Sequence, residues 1–327
     1  MTRTSAWSRL VVAAALWLAA VTAVAQTFPD PQRPVRLVVG FAAGGGSDIQ
    51  ARLLAPRLAE ALGIPVTVDN RPGASTMIAA QEVARSAPDG HTLLYTFNGT
   101  FAQNPHTLAS VPNDPFRDFT PVSLAARGSM LLVVHSSLPV HDIAELIAYG
   151  KAHPGTLNVA SFGVGTSSHI YAELLARRVG IPMTHVPYKG GGDAANDLLA
   201  GRVQLMFDAA PTALQHAKTG ALRILGVVAP SRTALLPDVP TLAEQGIRDI
   251  DLVGWLGVYG PAKLPPDIVA RLNAALVKAI ASPEVRNGFA AGAYEAVSST
   301  PEELRALTRE AYDRWGKVVK DIGLVPQ

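Results

Sequence analysis

The sequence of 327 residues contains no cysteine. This absence excludes disulfide bonds, thiolate nucleophiles and zinc sites built on cysteine. We also expect no lipid anchor of the bacterial lipoprotein type, because that anchor is attached to a cysteine. The core must therefore be stabilised by burial alone. A content of 48% hydrophobic residues is ample for this, and the length predicts about two domains.

An excess of charge of one sign is also missing. The chain has 28 basic and 26 acidic residues, and removing Arg3 and Arg9 with an amino-terminal signal leaves 26 basic against 26 acidic residues. A protein that binds nucleic acid carries a basic stripe. No such stripe is visible in this sequence, so we expect no nucleic-acid partner.

Long apolar runs are missing except near the amino terminus. Arg3 and Arg9 precede an apolar run over 10–20, and Ala23-Val24-Ala25 fits the A-x-A cleavage pattern. The alternative is a transmembrane anchor, but the run is shorter than the roughly 20 residues that a bilayer core requires. We therefore interpret residues 1–25 as a signal peptide cleaved after Ala25, which predicts export to the periplasm.

The motifs of common enzyme classes are absent as well. A dinucleotide fingerprint needs a glycine where Ile49 stands, and neither a Gly-Lys-Ser/Thr P-loop nor a G-x-S-x-G elbow occurs. The eight histidines show no paired spacing for zinc. We therefore predict no catalytic residue, no metal and no cofactor. For His169, a local hydrogen bond and a ligand contact both remain open.

The chain does contain a regular alternation of strand-like and helix-like segments, which predicts an α/β fold with largely parallel sheets. Within the first helix Pro56 predicts a kink, and Thr300 with Glu303 predicts a capping box. Strands are predicted at 36–39, 65–69, 92–96, 131–134, 157–161, 184–186, 203–207, 222–228 and 253–259. Helices are predicted to begin near Ser47, Ile78, Ile143, Ser167, Asp193, Pro211, Asp267 and Pro301.

Two segments of the sequence, 37–75 and 157–192, repeat one pattern. Each has a strand, a phenylalanine, a glycine-containing bend, an amphipathic helix, Gly-Ile-Pro and a second strand. Similarity between any two βαβ units explains the periodicity, but it explains the paired bends and the paired Gly-Ile-Pro sequences less well. We interpret the two segments as equivalent units of two similar domains.

Both bends, in GFAAGGGSD (40–48) and FGVGTSSH (162–169), follow the carboxyl end of a strand and precede a helix. In open α/β sheets the ligand crevice lies at this edge. A helix amino terminus offers free N–H groups and a favourable dipole for an anion. The two bends therefore predict an anion site between two domains.

The sequence resembles the Bug family, the periplasmic solute receptors of tripartite tricarboxylate transporters. The resemblance covers nearly all of the chain after residue 25. It is carried by RPVRLVVGFAAGGGSD (33–48), VDNRPGAS (68–75), APDGHTLLYT (87–96), DFTPVSLAA (118–126), LNVASFGVGTSSH (157–169), HVPYKGGGDAANDLLAGRVQLMF (185–207), LPDVPTLAEQG (236–246) and GWLGVYGPAKLPPDIV (254–269).

The resemblance implies a two-lobed Venus flytrap, type II-like, in which each lobe is a mainly parallel sheet flanked by helices. The first lobe would comprise 26–124 and 251–327, and the second 125–250. Hinge crossings are expected near 121–128 and 250–254. The protein would capture a small carboxylate for the membrane components of the transporter. A sensing role with a sensor kinase as partner, and an exported enzyme, remain as alternatives.

The resemblance also implies the binding residues. For Asp48 the alternative role is to cap the helix, and for Lys189 it is that of a solvated turn residue. Asp208 is a weaker candidate. Asn98 and Thr100, at the end of a first-lobe strand, are also placed to face the cleft. The first-lobe candidates are Phe41, Ala42, Ala43, Gly44, Gly45, Ser47 and Asp48, and the second-lobe candidates are Gly163, Gly165, Thr166, Ser167, Ser168, Tyr188, Lys189 and Asp208.

The sequence departs from the family pattern at Asp193-Ala194, where the family usually has Pro-Ala. The departure adds a negative charge near the second-lobe turn. It either disfavours acidic ligands there or caps the next helix, so the class of carboxylate stays open.

Overall fold

The computed structural model describes residues 28–326, apart from Lys189, 234–235, Asp249 and 251–252. The predicted signal peptide, Lys189 and part of the second predicted hinge crossing lie outside the described residues. Within the described part of the chain, no helix is both long enough and apolar enough to span a bilayer.

Every strand predicted from the sequence is present within a few residues, and two further strands, β4 and β11, were not predicted. The strands are β1 Val35–Val39, β2 Val66–Asn70, β3 Thr92–Phe97, β4 Phe119–Gly128, β5 Met130–His135, β6 Asn158–Ser161, β7 Thr184–Pro187, β8 Leu205–Ala209, β9 Leu222–Val228, β10 Gly254–Pro261 and β11 Tyr294–Ala296.

The predicted helices are likewise present, together with α3, α9 and two short turns that were not predicted. The helices are α1 Gly46–Leu62, α2 Met77–Ala84, α3 Asn104–Thr107, α4 Ile143–Ala152, α5 Ser167–Val179, α6 Gly191–Leu199, α7 Ala210–Lys218, α8 Pro266–Ile280, α9 Pro283–Ala291 and α10 Pro301–Asp321. A 3₁₀ turn covers Ala74–Thr76 and a π-helical turn covers Gly99–Gln103.

The described residues form two sheets with strand orders β11-β4-β10-β3-β1-β2 and β7-β6-β8-β5-β9. We call each sheet with its flanking helices a lobe. The chain passes from the first sheet to the second between Gly128 and Met130. The first predicted hinge crossing, 121–128, therefore lies entirely within β4. The lobe boundaries at 124 and 250 stay a prediction.

Most strands of each sheet run in one direction, as expected, but both sheets also contain antiparallel pairs, which the sequence did not indicate. Strand β10 runs antiparallel between β3 and β4, and β5 runs antiparallel between β8 and β9. Each of these two strands is the first that the chain forms after crossing from the other lobe. It therefore runs away from the crossing, while its neighbours run towards it.

The repeated units of the sequence are present as β1-α1-β2 and β6-α5-β7, each with a parallel strand pair. Both helices end at the glycine of Gly-Ile-Pro. Gly63 and Gly180 adopt left-handed φ angles of 74° and 65° and donate to carbonyls of the preceding turn. Only glycine adopts this conformation without strain, which explains why the two Gly-Ile-Pro sequences recur at helix ends.

Helix α10 connects the cores of both lobes. The predicted capping box is present at its start, where Thr300 and Glu303 bond each other's backbone. Near this end Leu304 packs in a first-lobe cluster, whereas the buried Trp315 packs in the second-lobe core and lies 5.8 Å from the ring of Tyr171. One helix thus connects the two lobes. At its carboxyl end, Arg177 of the second lobe donates to the carbonyl of Ile322.

Candidate functional site

The first bend connects β1 to α1 and exposes its backbone. Residues 42–46 are exposed, and Gly45, the helix N-cap, has no side-chain cap. The first intrahelical donor is the N–H of Ile49, which bonds the Gly45 carbonyl. The preceding N–H groups therefore have no partner within the helix. Ser47 lies half-buried beside them.

Asp48 holds this bend from inside the protein. Its side chain is only 3% exposed. It accepts hydrogen bonds from the Gly44 N–H at 2.8 Å, from Arg52 Nε at 2.9 Å and from Asn70 Nδ2 at 2.9 Å. Burial by itself would raise the pKa of Asp48, but these donors lower it below its ordinary value. The carboxylate thus uses the Gly44 N–H itself and fixes the shape of the bend.

Phe41 and Asn70 complete the support of the first bend. The half-buried ring of Phe41 lies 5.4 Å from that of Phe97, and Asn70 Nδ2 also donates to the Phe41 carbonyl at 3.0 Å. Asn70 therefore connects the start of the bend to Asp48 near its end. Sequence reasoning missed Asn70, although it lies in the quoted motif VDNRPGAS.

The second bend connects β6 to α5 and is capped, unlike the first. Thr166 is the N-cap, and its hydroxyl donates to the Gly163 carbonyl at 2.7 Å. Gly163 and Gly165 have φ angles of 129° and 76°, which favour glycine. Ser168 is fully buried and donates to the Phe207 carbonyl at 2.7 Å. Its side chain is therefore committed to strand β8.

His169 takes the local hydrogen bond that the sequence left open. Its Nδ1 accepts from the Gly165 N–H at 3.1 Å, and its ring stacks on that of His185 with centroids 3.9 Å apart. His185 Nε2 lies 2.6 Å from Ser161 Oγ. Burial, and then the neighbouring His169, lower the pKa of His185 to about 4. Two neutral imidazoles thus support the second bend.

The segment 99–107 of the first lobe reaches the second bend. Ser167 Oγ donates to Gln103 Oε1 at 2.7 Å, and Gln103 Nε2 donates to the Gly165 carbonyl. A methyl group added at Gly165 would lie 3.1 Å from Thr107 Cβ. Gln103 was not predicted, since a glutamine within an irregular turn carries no sequence signal of a contact 62 residues away.

The remaining predicted residues occupy three different places. Tyr188 donates to Asp197 at 2.7 Å, and burial together with that carboxylate raises the pKa of Tyr188 to about 12. Asn98 is buried, and its backbone N–H bonds the Trp255 carbonyl. Thr100 lies in a buried hydroxyl cluster, 2.7 Å from Thr76 Oγ1. None of these three observations tests ligand contact.

Asp208 is a buried carboxyl at the carboxyl end of β8. It is 1% exposed, its Oδ1 accepts from the Ala209 N–H at 2.7 Å, and its Oδ2 has no hydrogen-bond partner among the described residues. Burial raises the pKa of Asp208 to about 7. Tyr294, which the sequence did not indicate, approaches this region from the first lobe. Its hydroxyl lies 3.9 Å from where a methyl group at Gly46 would stand.

The chain matches the family model described as tripartite tricarboxylate transporter family receptor over residues 50–324. That match covers most of the chain, including the second sheet and all strands of the first sheet except β1. The chain belongs to this family. It is 34% identical over 319 residues to protein BugT of Bordetella pertussis, covering 97% of this chain and 98% of BugT. The resemblance to the Bug family is thereby confirmed.

Solved structures of the family share the fold. A Rhodopseudomonas palustris protein with adipate is 34% identical with a TM-score of 0.82, over 92% of this chain and all of that one. MatC from the same organism, with bound malate, is 34% identical with a TM-score of 0.77, over 89% of this chain and all of that one. Periplasmic binding protein BugD is 31% identical with a TM-score of 0.79, over 91% of this chain and all of BugD. The protein is thus a two-lobed solute receptor of the periplasmic-binding-protein type.

Proposed function

We propose that this receptor captures a small carboxylate between the first and second bends and delivers it to the membrane components of a tripartite tricarboxylate transporter. The observation that carries the proposal is the open amino terminus of α1. Its exposed backbone lacks a side-chain cap, and it follows the carboxyl end of β1. Relatives that carry adipate and malate support a carboxylate as the ligand.

The energetics are sufficient without a basic side chain. A helix amino terminus stabilises an anion by about 0.3–1 kcal/mol, and by up to about 2 kcal/mol when partly buried. Hydrogen bonds to a charged group contribute about 1.5–3 kcal/mol each. A few such contacts reach the roughly −8 kcal/mol of a micromolar ligand.

The binding residues predicted from the sequence take different roles in this proposal. The Ser47 hydroxyl and those N–H groups of the first bend that no protein group uses contact the carboxylate directly, as do the free N–H groups in the first turn of α5. The Ser167 hydroxyl already donates to Gln103 and holds the second bend in place. Asp48, Ser168 and Thr166 act mainly by shaping the bends, because their side chains already bond the protein. Lys189, which follows Tyr188 in the sequence, is a further candidate ligand contact.

Calorimetry on the unfolded and refolded protein tests the proposal, since refolding removes any bound solute. We expect binding by one or more mono-, di- or tricarboxylates and none by nucleotides. Ser47→Ala should weaken binding about fivefold, the equivalent of about 1 kcal/mol. Ser110→Ala, at an exposed position, is the matched control. Binding of nucleotides alone would contradict the proposal.

Three finer points belong to the same proposal. The ligand is released unchanged, so chromatography of the bound solute should recover the compound that was added and no product. The mature protein begins at Gln26, which amino-terminal sequencing of exported protein checks. A sensing role would use the same ligand-bound form, and pull-down of a sensor kinase only in the presence of ligand would favour it over transport.

A further inference from the structure

The carboxyl group of Asp208 is a buried polar group near the proposed site that is only half satisfied. One oxygen bonds the neighbouring Ala209 N–H, and the other is buried without a hydrogen-bond partner in the described part of the chain. Leaving such a group unpaired costs about 1–3 kcal/mol, and more when it is charged. A group that is retained at this cost points to a partner that the free protein does not supply.

The position of Asp208 places it beside the second bend. It follows Phe207 on β8, and the Phe207 carbonyl accepts the hydrogen bond of Ser168 in the first turn of α5. The backbone that carries Asp208 is thus bonded directly to the helix whose amino terminus forms the second bend. Strand β8 also pairs with β6, the strand that leads into this bend.

Tyr294 approaches the same region from the first lobe. Tyr294 pairs in the sheet with Gly128, where the chain crosses between the lobes. Its ring covers that glycine, because a methyl group added at Gly128 would lie 2.4 Å from Tyr294 Cε1. Its hydroxyl is close to Gly46 at the first bend. Burial, and then the carboxyl of Asp208, raise the pKa of Tyr294, so the phenol stays protonated.

Tyr294 pairs with Gly128 at the end of β4, and Asp208 pairs with Leu131 at the start of β5, so the two residues lie on either side of the crossing between the lobes. No lysine, arginine or histidine among the described residues forms an ion pair with Asp208. The two bends offer donors for a carboxylate, whereas the free oxygen of Asp208 offers an acceptor. An acceptor beside an anion site discriminates between ligands with and without a donor group.

We propose that Asp208, with Tyr294, forms a second subsite that binds a hydrogen-bond donor of the ligand, a hydroxyl or an ammonium group carried near its carboxylate. The inference rests on the proposed function, because it assumes that the carboxylate is bound at the two bends. It narrows the ligand to hydroxy acids and amino acids, as opposed to unsubstituted carboxylic acids.

Matched series of ligands test the proposal by calorimetry at one pH. The series are propionate, lactate and alanine; succinate, malate and aspartate; and glutarate, 2-hydroxyglutarate and glutamate. In at least one series, we expect a donor-bearing acid to bind about tenfold or more tightly than its parent acid. The hydroxyl and amino members of the series distinguish the two kinds of donor.

Two variants locate the preference. Asp208→Leu, a substitution of similar shape without acceptors, should bring the ratio of the two dissociation constants close to one. Tyr294→Phe keeps the ring on Gly128 and should reduce the ratio in part. The same substitution at the exposed Asp238, Asp238→Leu, is the control and should keep the ratio.

Each other outcome overturns the inference in its own way. Equal binding of parent and donor-bearing acids by the unmodified protein would overturn it and leave the receptor function standing. If both variants still prefer the donor-bearing acids, another residue binds the donor group of the ligand. If no acid of any series binds, the inference fails, and the proposed function fails with it only if none of the other mono-, di- and tricarboxylates binds either. Should Asp208→Leu not fold, Tyr294→Phe alone decides the question.

Discussion

Gln103 and Ser167 are joined by a hydrogen bond of 2.7 Å between the two lobes. The same glutamine amide donates to the Gly165 carbonyl, so both polar atoms of one side chain contact the second bend. The next residue, Asn104, donates to the Ser75 carbonyl at 2.7 Å. Two consecutive residues thus connect the second bend to a first-lobe turn.

That first-lobe turn is strained. Ala74, Ser75 and Thr76 have φ angles of 45°, 52° and 76°, a region that is unfavourable for residues with a side chain. Backbone strain is often found at ligand sites, where surrounding contacts maintain it. The contact of Asn104 with Ser75 is one such contact, and a second is the buried hydroxyl bond of Thr76 with Thr100.

Replacing Gln103 with methionine should loosen the second bend. The substitution keeps the length of the side chain but removes both hydrogen bonds, so we expect the free energy of unfolding to fall by about 1–3 kcal/mol. Ligand affinity should fall severalfold as well, because the bend loses its support. Urea unfolding and calorimetry measure the two effects. Gln32→Met, at an exposed position, should change neither, and an unchanged affinity in Gln103→Met would contradict the supporting role.

Asp48→Asn should destabilise the first bend. The carboxylate accepts from Gly44, Arg52 and Asn70, and an amide cannot accept all of these bonds. We expect a loss of about 2–3 kcal/mol in the free energy of unfolding, typical of a buried charge-assisted network. A double-mutant cycle with Arg52→Met should show coupling of more than about 0.5 kcal/mol. Additive effects would mean that the two side chains act independently.

Asp208 should make the ligand-free protein less stable as the pH rises. Its pKa is about 7 in the folded state because of burial, well above that of an exposed carboxyl. Between about pH 4 and 7 the unfolded chain loses this proton while the folded protein keeps it, so the free energy of unfolding falls across this window. Asp208→Asn should remove that decline. If the free energy of unfolding depends on pH in the same way in the variant and the unmodified protein, Asp208 is not the cause of the decline.

His185 should have the opposite effect over a similar range. Its pKa of about 4, lowered by burial and then by His169, lies below that of an exposed histidine. From about pH 6.5 down to 4 the unfolded chain takes up a proton that the folded protein does not, so stability is lost on acidification. His185→Gln should reduce this loss. The measurement is best made in the Asp208→Asn background, where the opposing contribution is absent.

Much of the fold could be predicted from the sequence because its determinants are local. Apolar periodicity gave the order of strands and helices, and the glycines at 63 and 180 ended helices where left-handed backbone was required. The capping box at Thr300 depends on residues three positions apart. Strands β4 and β11 were not predicted, since their pairing partners lie more than a hundred residues away in the sequence. Strand β4 pairs with β10 and β11.

The candidate site was predictable only in outline. The glycine-rich bends indicated where backbone would be open, and the family resemblance named the same residues. By contrast, the sequence left open whether Asp48 caps the helix or contacts the ligand. Its bonds to Gly44 and Asn70 show that it holds the bend. In the same way Ser168, placed among the binding residues, has its hydroxyl turned into the protein towards Phe207.

The sequence by itself therefore determined the two βαβ units, the two bends and the family, because short-range periodicity and backbone requirements are written in adjacent residues. Only the tertiary structure decided which polar side chains are already used and which remain unpaired. Gln103, Tyr294 and Asp208 acquire their importance from partners in the other lobe or from burial. Burial and long-range contacts depend on how the chain is packed, and no local pattern of residues records them.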